Sequence, residues 1–130
     1  MGEYTDTMNI KTWIVAIFLC CILPAVIIAG EADVITVDVK KSGDHLYHFD
    51  VTVAHADNGW DHYADSWDVL DLEGNVLGTR TLYHPHVNEQ PFTRSLSGVK
   101  IPGDVTKVII RAHDSVHQYG GMTKSVELPQ

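Results

Sequence analysis

At 130 residues the chain is one domain's worth at most. Its composition, 45% hydrophobic and 20% charged, excludes disorder and collagen-like repeats. The formal net charge of −8, from 9 Lys+Arg against 17 Asp+Glu, argues against nucleic acid or anionic lipid as the main partner, because both require clustered basic charge.

Trp13 to Gly30 carries no charge, with Lys11 just before it and Glu31-Ala32 after it. A basic start, an apolar stretch and small residues at −3 and −1 of a cut after Ala32 predict a secretory signal peptide over residues 1–32. Glu3 and Asp6 are unusual in such a leader, and initiation at Met8 would leave the more ordinary start Met-Asn-Ile-Lys. An uncleaved membrane anchor is the alternative, since an apolar run of this length just spans a bilayer. Pro24 and the strand-like pattern that follows favour cleavage. No small-residue lipobox precedes Cys20 or Cys21, so a lipoprotein is not expected. Residues 33–130 then form a single domain, periplasmic or secreted, that retains every histidine and neither cysteine. Without a disulfide, such a domain is held by its core alone or by a core and a metal.

Alternation with period two dominates this domain. Ile35, Val37 and Val39 alternate with polar residues in a first strand, and Lys41-Ser42-Gly43-Asp44 is a turn. Tyr47, Phe49, Val51 and Val53 mark a second strand running to His55. A loop from Ala56 to Tyr63 leads to a third strand with Trp67 and Val69. Asp71 to Asn75 turns it into a fourth, Val76–Tyr83. His84-Pro85-His86 breaks the pattern. A fifth strand, Phe92–Ile101, is interrupted by Ser97-Gly98, which predicts a bulge. Val105–His113 and Thr123–Leu128 complete the set. Seven short strands at regular spacing, with a tryptophan on the third, predict an all-β, immunoglobulin-like antiparallel sandwich. The inter-sheet cysteines of antibody domains are missing, and a jelly roll or small barrel is the alternative.

The runs His-Ala-Asp-Asn-Gly-Trp-Asp-His-Tyr-Ala-Asp (55–65), Leu-Gly-Thr-Arg (77–80), His-Pro-His (84–86) and Gln-Pro-Phe-Thr-Arg-Ser-Leu (90–96) resemble small exported bacterial proteins with no assigned activity. The resemblance covers nearly all of residues 33–130. It implies export and a single domain, and transfers no activity.

Eight histidines are the compositional outlier. Running the strands up and down places the loops after the second, fourth and sixth strands at one end of the sandwich. His55, His62, His84, His86, His113 and His117 are therefore expected at that end, and His45 and His48 elsewhere. Three loops each bringing a pair is what a metal site requires, and an imidazole donor set suits Cu(II) or Zn(II) better than Ca(II) or Mg(II). His84 and His86 lead the expected ligands, followed by His55 and His113, then His117 and His62. Asp57, Asp61 and Asp114 are expected to orient the rings from behind. A buffer, carrier or accessory role in metal handling follows. Protonation of the same cluster would make the loop end pH-sensitive.

Other readings compete. Trp60, Tyr63 and Tyr83 would suit docking of a protein or glycan. Asp57, Asp61, Asp65, Asp68 and Asp71 could attract calcium, but their spacing matches no EF-hand loop and alternation sends Asp65 and Asp68 to opposite faces. No enzyme is expected: the domain has no thiol, no Gly-x-Ser-x-Gly and no insertion to build a pocket. Lys and Arg are too dispersed for a nucleic-acid path, and a membrane is a partner only if the leader stays uncleaved.

Overall fold

The computed structural model describes residues 30–130, with Gly2 besides. The leader up to residue 29, the Met8 start, the anchor alternative and both cysteines lie outside the described residues, Gly2 apart. Among the described residues no helix is long and apolar enough to cross a membrane.

Seven strands follow one another: β1 (Asp33–Gly43), β2 (Leu46–Ala54), β3 (Ala64–Leu70), β4 (Val76–Thr81), β5 (Phe92–Lys100), β6 (Lys107–Asp114) and β7 (Lys124–Glu127). They form two antiparallel sheets, ordered β1-β2-β5 and β4-β3-β6-β7. This is the immunoglobulin-like sandwich, with β4 joined to the sheet of β3 as the added strand of variable-type domains is.

The alternation seen in the sequence builds the core. Tyr47, Phe49, Val51 and Val53 of β2 face Trp67 and Val69 of β3 and Val108, Ile110 and Ala112 of β6, all buried. Trp67 is fully enclosed between the sheets. The expected bulge is present: the β2–β5 register shifts between Tyr47 and Phe49, opposite Ser97-Gly98. Gly98 has a φ of 66°, a left-handed conformation that a side chain would strain.

Further register shifts, in β1 and in the pairings of β3, lie outside that expectation. In β1 the register shifts between Val34 and Thr36, so Val34 is buried and Ile35 faces out. In β3 it shifts between Ala64 and Ser66, and the extra residue, Asp65, joins Asp68 on the outer face. The bulge breaks strict alternation, which is why the two aspartates do not part as their spacing suggests. Ala32, placed on the leader side of the boundary by sequence, is buried in the core, and the Val34 N–H donates to the Met122 carbonyl.

Candidate metal centre

Strand parity creates the site. The inward positions of β2 run Tyr47, Phe49, Val51, Val53, and the next inward position is His55. Those of β6 run Val108, Ile110, Ala112, and the next is Asp114. Both side chains are completely buried, and they meet: His55 Nε2 lies 2.9 Å from Asp114 Oδ2. The apolar core thus ends in a polar cap at the end where the β2, β4 and β6 loops gather.

The loops supply the rest. Asp114 opens a tight turn in which its Oδ1 accepts the Val116 N–H at 2.7 Å and the His117 N–H. That turn swings the His117 ring back, so that Nδ1 lies 3.1 Å from Asp114 Oδ2. In the β2–β3 loop, Gly59 (φ 133°) permits a reversal in which Asn58 N–H donates to the His62 carbonyl and His62 N–H to that of Gly59. This directs His62 Nε2 to 2.9 Å from the same Asp114 Oδ2. Reciprocal bonds between Tyr63 and Ser115 fasten the two loops together. Among the described residues, the ligand atoms of His55, His62 and Asp114 all lie within 4.8 Å of one another.

Behind the cluster stands Asp57, also buried. Its Oδ1 accepts from His55 Nδ1 at 2.5 Å and from the Ala64 N–H at 3.0 Å, and its Oδ2 accepts the His86 N–H at 2.7 Å. With the His55 Nδ1 proton on Asp57, Nε2 faces two acceptors, Asp114 Oδ2 and the Gly30 carbonyl, both at 2.9 Å. A lone pair on Nε2 would face two oxygens that cannot donate to it, an arrangement that a bound cation would relieve. Three imidazole nitrogens also meet one carboxylate oxygen, which has about two lone pairs to offer. Among the described residues neither Asp57 nor Asp114 is paired with a Lys or Arg. Burial pushes the Asp114 carboxyl up, but the hydrogen bonds from the His117 N–H, the His62 and His117 rings and the Val116 N–H outweigh it. The carboxyl therefore lies well below the usual carboxylate range.

The six histidines expected at this end divide into three groups. His55, His62 and His117 surround Asp114. His84 and His86 sit beside them, with His86 Nδ1 4.0 Å from Asp57 Oδ2, but neither ring reaches Asp114 Oδ2. His113 turns the other way, because it is the outward neighbour of Asp114 on β6. It bonds Asp65 Oδ1 at 2.5 Å and lies edge-on to Tyr119. The pair ranked first by sequence is thus not at the centre, and His113 and His117, four apart, face opposite sides because the strand ends between them. Of the aspartates expected behind the rings, Asp57 is there, whereas Asp114 is the hub itself. Parity was the signal for that: an aspartate at an inward position of an apolar strand needs a partner. His45 lies at the opposite end, where its carbonyl accepts the Ile101 N–H, and His48 bonds Ser97 and Asp50 on the outer face of the first sheet.

The surrounding surface is mixed. Trp60 is 67% and Tyr83 76% exposed, and Trp60 meets Tyr63 edge-on at 5.7 Å. Burial, and after it Arg94 and His84, push the His86 ring down against smaller pulls from Asp57 and Glu89, which keeps it neutral.

The chain is similar to a protein of Halomicrobium mukohataei named "Putative lipoprotein". The two are 42% identical over 97 residues, which is 75% of this chain and 47% of the relative. The chain therefore spans about half the length of that relative. No family model and no solved structure matches it.

Proposed function

We propose that this is an exported, cell-envelope protein that binds one divalent transition-metal ion through His55 Nε2, His62 Nε2 and Asp114 Oδ2, with His117 Nδ1 as fourth donor. The name of the Halomicrobium relative supports the envelope location. The observation that carries the binding is the meeting of three ring nitrogens on one buried carboxylate oxygen, at 2.9–3.1 Å. A four-coordinate ion with bonds of about 2.0–2.1 Å holds its donors about 3.3 Å apart, so the donor atoms, which lie within 4.8 Å of one another, draw together to seat it. Asp57 on His55 Nδ1 is the carboxylate partner that ligating histidines usually have; it fixes the tautomer and leaves Nε2 for the metal. Three imidazoles and a carboxylate suit Zn(II) first and Cu(II) second. The binding serves a buffer, carrier or accessory role.

The test is a melting curve of the protein with Zn(II) or Cu(II). An ion that binds only the folded form stabilises it by about 2.7 kcal/mol at a free concentration one hundred times Kd. His62→Ala should abolish most of the shift and His45→Ala should leave it. A melting temperature indifferent to both ions overturns the reading.

The exposure of Trp60 and Tyr83 favours a second reading, in which the same end docks a protein or glycan through aromatic faces. Loss of a partner on Trp60→Ala, with metal binding unchanged, would separate the two.

A further inference from the structure

His86 is 5% exposed, yet both of its ring nitrogens are buried without a hydrogen-bond partner. A neutral imidazole has one N–H and one lone pair, and burying either without a partner is unfavourable. The loop is not free to relieve this. The His86 N–H is fixed to Asp57 Oδ2, its carbonyl accepts Gln90 Nε2 at 2.9 Å, and its ring lies flat on Phe92, 4.1 Å away. Beside it stands the exposed ring of His84, with centroids 4.8 Å apart and planes inclined at 48°. Two imidazoles on one tetrahedral ion have centroids about 5 Å apart, from metal–nitrogen bonds near 2.0–2.1 Å and the ring radius. The spacing in the inner group is the same, 4.8 Å for His55–His62 and 4.9 Å for His62–His117.

We propose that His84 and His86 hold a second divalent transition-metal ion, more exposed than the first, with Asp57 shared between the two sites. One nitrogen of each ring binds the ion and water completes its coordination. His86 Nδ1, already 4.0 Å from Asp57 Oδ2, closes on that oxygen as His55 Nδ1 does on Oδ1. Asp57 thereby orients one ligand of each site. With two protein donors against four, the outer ion binds more weakly and exchanges faster. The unpartnered nitrogens of His86 carry this inference, independently of the inner cluster.

Equilibrium dialysis of the full chain against Zn(II), with the bound metal counted, tests it. The wild type should bind two equivalents, the weaker of them lost in His84→Ala, a change on the surface that leaves the fold alone. His62→Ala should lose the tighter equivalent and keep the weaker. His86→Gln, which keeps a polar side chain at the buried position, should behave as His84→Ala. Two equivalents retained in His84→Ala and His86→Gln would overturn the outer site and leave the inner one standing. Loss of a single common equivalent in both His84→Ala and His62→Ala would mean one merged site and overturn it also. Loss in His84→Ala alone, with no tight equivalent in the wild type, would support the outer site and sink the inner one.

Discussion

Asp71 and Asp114 each open a tight turn, at opposite ends of the sandwich, and do so by the same local chemistry. Asp71 Oδ1 accepts the N–H groups of Glu73 and Asn75, at 2.9 and 2.8 Å; Asp114 Oδ1 accepts those of Val116 and His117. The second oxygen distinguishes them. At Asp71 it accepts from Asn75 Nδ2, four residues away, and the whole arrangement is local and wet. At Asp114 it faces rings from its own turn and from the β2 end and β2–β3 loop, and it is fully buried. A self-satisfied carboxylate makes a turn. One left for remote partners, and buried, makes a site.

Replacing each aspartate is the most direct way to break this comparison. Asp114→Ala leaves the His55, His62 and His117 rings and two turn N–H groups without their shared acceptor and should cost about 3–5 kcal/mol, read by urea unfolding, as well as the metal response. Asp71→Ala should lower the melting temperature less and leave the metal response intact. Equal effects of the two on metal binding would refute the division between turn and site. Next in size, Asp57→Asn should weaken metal binding about 10–100-fold while the inner ligands remain, read by competition with a chelator. His48→Ala, away from the cluster, should change stability by no more than about 0.5 kcal/mol and metal affinity not at all.

The smallest effect expected is on acid unfolding. The Asn75 side chain and N–H, with the backbone N–H groups of Glu73 and Gly74, hold the Asp71 carboxyl below its ordinary value of 3.8. Because the folded value is the lower one, its contribution is complete above the ordinary value and is lost as pH falls through the folded one. Asp71→Asn should therefore flatten the acid limb slightly, in a series of melting temperatures from neutral to low pH. A steeper limb would contradict the direction of the shift.

Much of this was legible in the residues. Alternation located all seven strands, the apolar lining of β2 and β6, Trp67 between the sheets and the bulge at Ser97-Gly98. Counting strands up and down brought the three loops to one end. The individual roles of the histidines were less legible, because each depended on a single step of parity or a single turn. His113 and Asp114 are neighbours, and one faces out to Asp65 while the other faces the core. The bulges at Ile35 and Asp65 were hidden for a similar reason: an inserted residue leaves no compositional mark unless it is a glycine.

By itself, the order of residues determined which segments are strands, which faces are apolar and where the turns fall, because these depend on neighbours a few positions apart. Only the packed sandwich decided that His55, His62 and His117 share one oxygen of Asp114, that Asp57 stands behind them and that His86 lies unpartnered against Phe92. Those are contacts between groups up to tens of residues apart in the chain, fixed by sheet register and by the exclusion of water between layers.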